Sequence, residues 1–131
     1  MKKRKKLTGA ICIIVLVVLA TSFVWAYESP YTTVYLPSNV NIRTSGQGYG
    51  YYKMFDATSY GGTKRLRVCA MYYENGQWVH DYATDVFVST GGSIRNFRTT
   101  YLSNERYWLL KLGSDDLGIG ATGFGWLWYS L

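Results

Sequence analysis

Asn75-Gly76 stands between two alternating runs, KRLRVCAMYY (64–73) and QWVHDYATDVFVS (77–89). A type I′ turn needs positive φ at both central residues, and Asn-Gly meets that need at little steric cost. The pair therefore predicts a two-residue β-hairpin. Fixing the turn also fixes the register. Met71 is expected to face His80, and Cys69 to face Tyr82. Leu66, Val68, Ala70 and Tyr72 share one face of the first run and read as core. Arg65, Arg67, Cys69 and Met71 share the other.

Further short runs carry the same signature. TTVYL (32–36), VNIRT (40–44), GYYKMFDA (50–57), SIRNFRTTYL (93–102), RYWLLKL (106–112) and a final run over 123–131 are separated by Gly-, Asn- and Ser-rich turns. Ile94 and Phe97 are out of step for one strand face, which predicts a bulge. Trp108, Leu110 and Leu112 fall on one face of their run. No long stretch has the apolar spacing of a helix. Residues 27–131 hold thirteen Tyr, four Trp, four Phe and thirteen Gly. Aromatic residues suit pleated surfaces, and glycine suits the turns between them. The expectation is an all-β fold, an antiparallel β-sandwich of roughly six to eight strands in one domain.

The first 26 residues read differently. MKKRKK is followed by LTGAICIIVLVVLATSFVWA, which is uncharged. A basic start, an apolar middle and an A-x-A-like exit at Val24-Trp25-Ala26 make a secretory signal peptide, expected as an N-terminal hydrophobic helix. The alternative is an uncleaved anchor over residues 7–26, with the domain outside, since about twenty apolar residues can span a bilayer. The expected location is secreted, and a membrane is met only through this segment. The formal charge of +6 owes five cations to it. Residues 27–131 keep nine basic and eight acidic side chains. That balance leaves no basic footprint for nucleic acid. Cys69 is then the single cysteine, which excludes an internal disulfide and reads as a small buried hydrophobe.

The last run, GFGWLWYSL (123–131), is apolar on both sides. Phe124, Trp126 and Trp128 form one row; Gly125, Leu127 and Tyr129 belong to the other. Bulk argues that the Trp row is core and the glycine row is outside. The inverse would leave two Trp and a Phe in water, a platform that needs a ligand.

Catalytic chemistry is thin. His80 is the single histidine, and it reads as a surface residue beside Asp81. Cys69 and His80 share a hairpin face, but a flat face makes a poor pocket for a nucleophile and its base. Metal-ligand spacing is missing, and Asp115-Asp116 reads as a solvated turn. GQGYG lacks the Lys and helix of a phosphate loop. No catalytic residue, cofactor or metal is expected. What recurs is Tyr and Trp between glycines, whose flat faces stack on sugar rings or partner proteins. The expected ligand contacts are Tyr49, Tyr51, Trp126, Trp128 and Tyr129. Arg65 and Arg67, next to Lys64, are a candidate basic contact for anionic wall polymer, or charges that guard a sheet edge.

The basic signal, the hairpin Asn75-Gly76-Gln77-Trp78-Val79, the strand YWLLKL (107–112) and the closing Gly125 with Trp126 and Trp128 resemble the pattern of small exported all-β proteins of unknown function from Gram-positive bacteria. The chain is also similar, more weakly, to precursors of lactococcin-type bacteriocins, which share the export signal, the β-sandwich and a Cys-poor aromatic chain. Neither resemblance supplies catalytic residues. Together these readings point to a secreted, non-enzymatic binding protein at the cell envelope, with a cell-wall polymer or an envelope protein as partner. The alternative is a bacteriocin-like protein released against neighbouring cells.

Overall fold

The structure is a computed structural model that describes residues 31–129. The segment 1–26, read above as a signal or anchor, lies outside the described residues. Ten strands form among the described residues: β1 Tyr31–Leu36, β2 Ile42–Thr44, β3 Gly48–Gly50, β4 Lys53–Gly62, β5 Leu66–Glu74, β6 Gln77–His80, β7 Val86–Val88, β8 Ser93–Arg98, β9 Arg106–Ser114 and β10 Ala121–Tyr129. They build two antiparallel sheets packed face to face. The first runs β1-β10-β4-β8, and the second runs β2-β9-β5-β6, with β3 also on β9 and β7 also on β5. The all-β reading holds, with more strands than expected because the expected strand 77–89 is broken into β6 and β7 and a further short strand, β3, forms at Gly48–Gly50.

The hairpin forms as its turn dictates. Asn75 and Gly76 both have positive φ, 51° and 77°. Met71 faces His80, and Tyr73 faces Trp78. The pairing does not continue to Cys69 and Tyr82. Tyr82–Thr84 instead form a single 3-10 turn, and β7 rejoins β5 with Val86 opposite Val68. Thr84 makes this possible. Its hydroxyl accepts the Ala70 N–H at 2.9 Å and donates to the Asp81 carbonyl at 2.6 Å, so the β5 ladder keeps its acceptor where the partner strand has left. The other edge uses the same device. Between β2 and β3 the Ser45 hydroxyl accepts the Leu110 N–H at 2.8 Å.

The core lies between the sheets. Val34, Leu36, Phe55, Ala57 and Leu127 come from the first; Leu66, Val68, Ala70, Trp108, Leu110 and Leu112 come from the second. The expected inner faces of β5 and β9 are confirmed. The expected bulge is also present. Arg95 and Asn96 both stand opposite Asp56, with Asn96 at φ 54°, so Ile94 and Phe97 both reach the core. One expectation is overturned. The Phe124, Trp126 and Trp128 row is not core. Ala121, Gly123, Gly125 and Leu127 face inward, and Trp128 is 39% exposed. Bulk was the wrong criterion, because the leucines of the second sheet already fill the space. A Cβ at Gly125 would lie 2.7 Å from a methyl of Leu110, and one at Gly123 would lie 2.8 Å from the Thr58 carbonyl oxygen and against Leu66.

Gly123 therefore tests the packing. Gly123→Ala must push a backbone carbonyl away, and is expected to cost about 1–3 kcal/mol. Urea unfolding followed by Trp fluorescence measures it. Wild-type stability would show that the sheets do not approach this closely.

Candidate functional site

The outer face of the first sheet holds a groove of about 460 Å³, lined by Tyr31, Asp56, Arg95, Trp126 and Trp128. Strand order assembles it. On β10, Trp128 lies opposite Tyr31 of β1, and Trp126 lies opposite both Thr33 of β1 and Asp56 of β4. Alternation along β10 puts both indoles outside, and Phe124 props Trp126 with ring centroids 4.4 Å apart. The bulge on β8 supplies the polar wall. Asp56 accepts the Asn96 N–H at 2.7 Å, and its other oxygen lies 3.8 Å from the Arg95 guanidinium. Asp56 is only 6% exposed, whereas the Arg95 side chain is mostly in solvent. Such a site can stack a flat apolar surface and exchange hydrogen bonds at its edge.

Trp126 and Trp128, both named above as candidate contacts, line the groove. Tyr129 closes β10 opposite Lys53, and its side chain is not described. Tyr49 and Tyr51 sit elsewhere. Tyr49 is on β3 opposite Tyr107, and Tyr51 stacks on Tyr101 at 5.6 Å and 4°. Tyr31, Asp56 and Arg95 were missed. A lone carboxylate inside the apolar run KMFDA was the available signal for Asp56.

The candidate basic contact is neutralised. Arg67 forks onto Asp85 at 2.8 and 2.6 Å, and Arg65 pairs with Asp115 at 3.2 Å while lying over the Phe87 ring. The guanidinium of Arg67 holds the Asp85 carboxyl below its ordinary range. Lys64 pairs with Asp116 at 2.5 Å, and with Gly118 and Ser114 holds that carboxyl down at about 2. The edge-strand reading is corrected too, because β5 lies inside its sheet between β9 and β6. Asp115-Asp116 is the acid side of a clamp that ties the β9–β10 turn to Lys64 and Arg65.

Cys69 and His80 do not pair with each other. The Cys69 thiol is buried against Thr84, 3.9 Å away, and the Asp81 carbonyl, 3.7 Å away. Burial pushes its pKa up, the reverse of what an attacking thiolate needs. The slot beside these two residues measures about 10 Å³, room for about one water. Asp81 does not partner His80 either; its carboxylate accepts the Thr100 N–H and hydroxyl at 2.8 and 2.9 Å. Instead the His80 ring lies 3.1 Å from the Lys111 ammonium. No cluster of three metal-ligating side chains occurs among the described residues.

No protein-family model matches the chain, and no curated protein matches it. In fold it is similar to the crystal structure of PirA, with a TM-score of 0.51 over 79% of this chain and 96% of that one. Sequence identity is 9%, so the likeness shows the fold alone.

The His80–Lys111 contact makes stability depend on pH. Burial and the Lys111 charge lower the His80 pKa from its ordinary 6.5. Above that value the ring is neutral in both states, and no penalty arises. As pH falls below it, the unfolded chain takes the proton first, so stability drops until pH passes the folded value. His80→Gln keeps an acceptor for Lys111 and should lose less stability between about pH 7 and about pH 5. Urea midpoints at both pH values check this; equal losses would mean His80 is not held neutral.

Proposed function

We propose that this chain is an exported binding domain that acts at the bacterial cell envelope without turning over a substrate. The Trp126–Trp128 groove is where it holds a glycan of the wall. One observation carries the reading: two indoles stand outside the sheet beside a buried carboxylate and an exposed guanidinium. An apolar patch of this kind on a soluble domain marks a site of interaction. A pyranose ring offers a flat C–H face and a rim of hydroxyls. The face stacks on Trp126 or Trp128, and the hydroxyls bond to Asp56 and Arg95. The basic and apolar pattern of residues 1–26 supports the export part of the reading.

Sedimentation of the purified chain with isolated Gram-positive walls tests it. Truncating an aromatic anchor typically costs about 2 kcal/mol or more. Trp126→Ala should therefore weaken binding by at least about tenfold. Wild-type binding by that variant would remove the groove from the reading. Binding lost after protease treatment of the walls would name an envelope protein as partner. Absence of binding, with growth arrest of neighbouring cells, would replace the reading with the antagonist one.

A further inference from the structure

A second aromatic array crosses the outer face of the other sheet. Tyr49 on β3 lies opposite Tyr107 on β9. Tyr72 pairs with Trp108 and turns inward, so Tyr73 follows on the outer face beside Tyr107. Tyr73 in turn faces Trp78 on β6. Four aromatic side chains from four strands therefore form one row perpendicular to the strands. Three strand spacings of about 4.8 Å make it roughly 14 Å long. Tyr49 and Tyr107 have ring centroids 4.9 Å apart, and Tyr73 and Trp78 5.2 Å.

Cross-strand aromatic pairs stabilise sheets by packing on each other. These rings keep much of their surface in water nonetheless, with Tyr49 46%, Tyr73 40% and Tyr107 50% exposed. A cavity of about 300 Å³ opens beside them, bordered by Glu74, Asn75, Glu105 and Arg106. Arg106 lies 3.5 Å from Glu74 and is flanked by Glu105, so the border carries no excess of positive charge. An anionic polymer or an anionic membrane gains nothing there. An uncharged polyhydroxylated chain does, because stacking faces, two carboxylates, an amide and a guanidinium border one cavity.

We infer that this row is a second glycan platform, and that the domain is bivalent. The ligand class rests on the reading given above for the Trp126 groove. The two outer faces point in opposite directions, with the sheets about 10 Å apart between them. A short glycan cannot reach both. Two strands of polymer are needed, and the domain bridges them.

The test uses the purified full-length chain and sonicated Gram-positive peptidoglycan, with sedimentation for binding and turbidity for cross-linking. Trp126→Ala and Tyr107→Ser alter exposed or half-exposed side chains, and unfolding midpoints confirm that both variants fold. Wild type should cloud the suspension. Each single variant should still pellet with the fragments but lose at least about fivefold in turbidity and at least about tenfold in half-saturation, as a bivalent binder does on losing one contact. The double variant should lose both signals. Full turbidity with Tyr107→Ser, against lost binding with Trp126→Ala, would overturn the second platform and leave the groove standing. The opposite pattern would overturn the groove and bivalence together. A fall from dimer to monomer mass in Tyr107→Ser would make the row an interface between copies and overturn the proposal.

Discussion

The two sheets meet through glycine, and the rest of the structure follows from that contact. Gly123 and Gly125 have no side chain to hold the second sheet away, so Leu66 and Leu110 come up against the β10 backbone. Their bulk, with that of Trp108 and Leu112, fills the interior from one side. Strand alternation then leaves Phe124, Trp126 and Trp128 only one direction to go. The exposed indoles are thus a consequence of core packing, and the groove inherits the rigidity of the sheet that carries it. A site built on strands holds its geometry better than one built on loops.

Hydrogen-bond bookkeeping shapes the remainder. A buried N–H without an acceptor costs roughly 1–3 kcal/mol, so a broken strand must replace what it removes. Ser45 and Thr84 do this with hydroxyls on the two sides of the second sheet. Asp56 does it with a carboxylate in the first, capping the Asn96 N–H at the β8 bulge. The third substitution has a chemical consequence that the other two lack. It holds a charged acceptor almost out of solvent, beside two indoles, with its second oxygen engaged by a 3.8 Å contact to Arg95.

Local features were legible in the sequence, and non-local ones were not. Asn75-Gly76 set a turn that needs no distant partner, and its register held as far as His80. The inner faces of β5 and β9 followed from alternation, and the bulge from the mismatch of Ile94 and Phe97. The inward face of β10 was misread because its answer lies in the leucines of β5 and β9. The hairpin was carried past Asp81 because its break depends on one hydroxyl, that of Thr84. Trp126 and Trp128 were visible as candidates, yet their polar neighbours were not. Asp56 and Arg95 reach Trp126 only through the order β10-β4-β8, which joins segments about 30 to 70 residues apart in the chain.

The same non-local pairing bears on the ligand class proposed above. Lys64, Arg65, Arg67, Arg95 and Arg106 each have a carboxylate within 4 Å among the described residues. Paired charges cancel beyond a few ångströms, and salt screens the remainder over a Debye length of about 8 Å. The field that would draw a charged polymer from a distance is therefore weak, although nine cations lie after residue 26. In the proposed binding mode, recognition rests on contact forces, namely aromatic stacking and short hydrogen bonds. The proposed glycan, uncharged and ring-built, fits those forces better than a polyanion would, and they act with similar strength at low and high ionic strength.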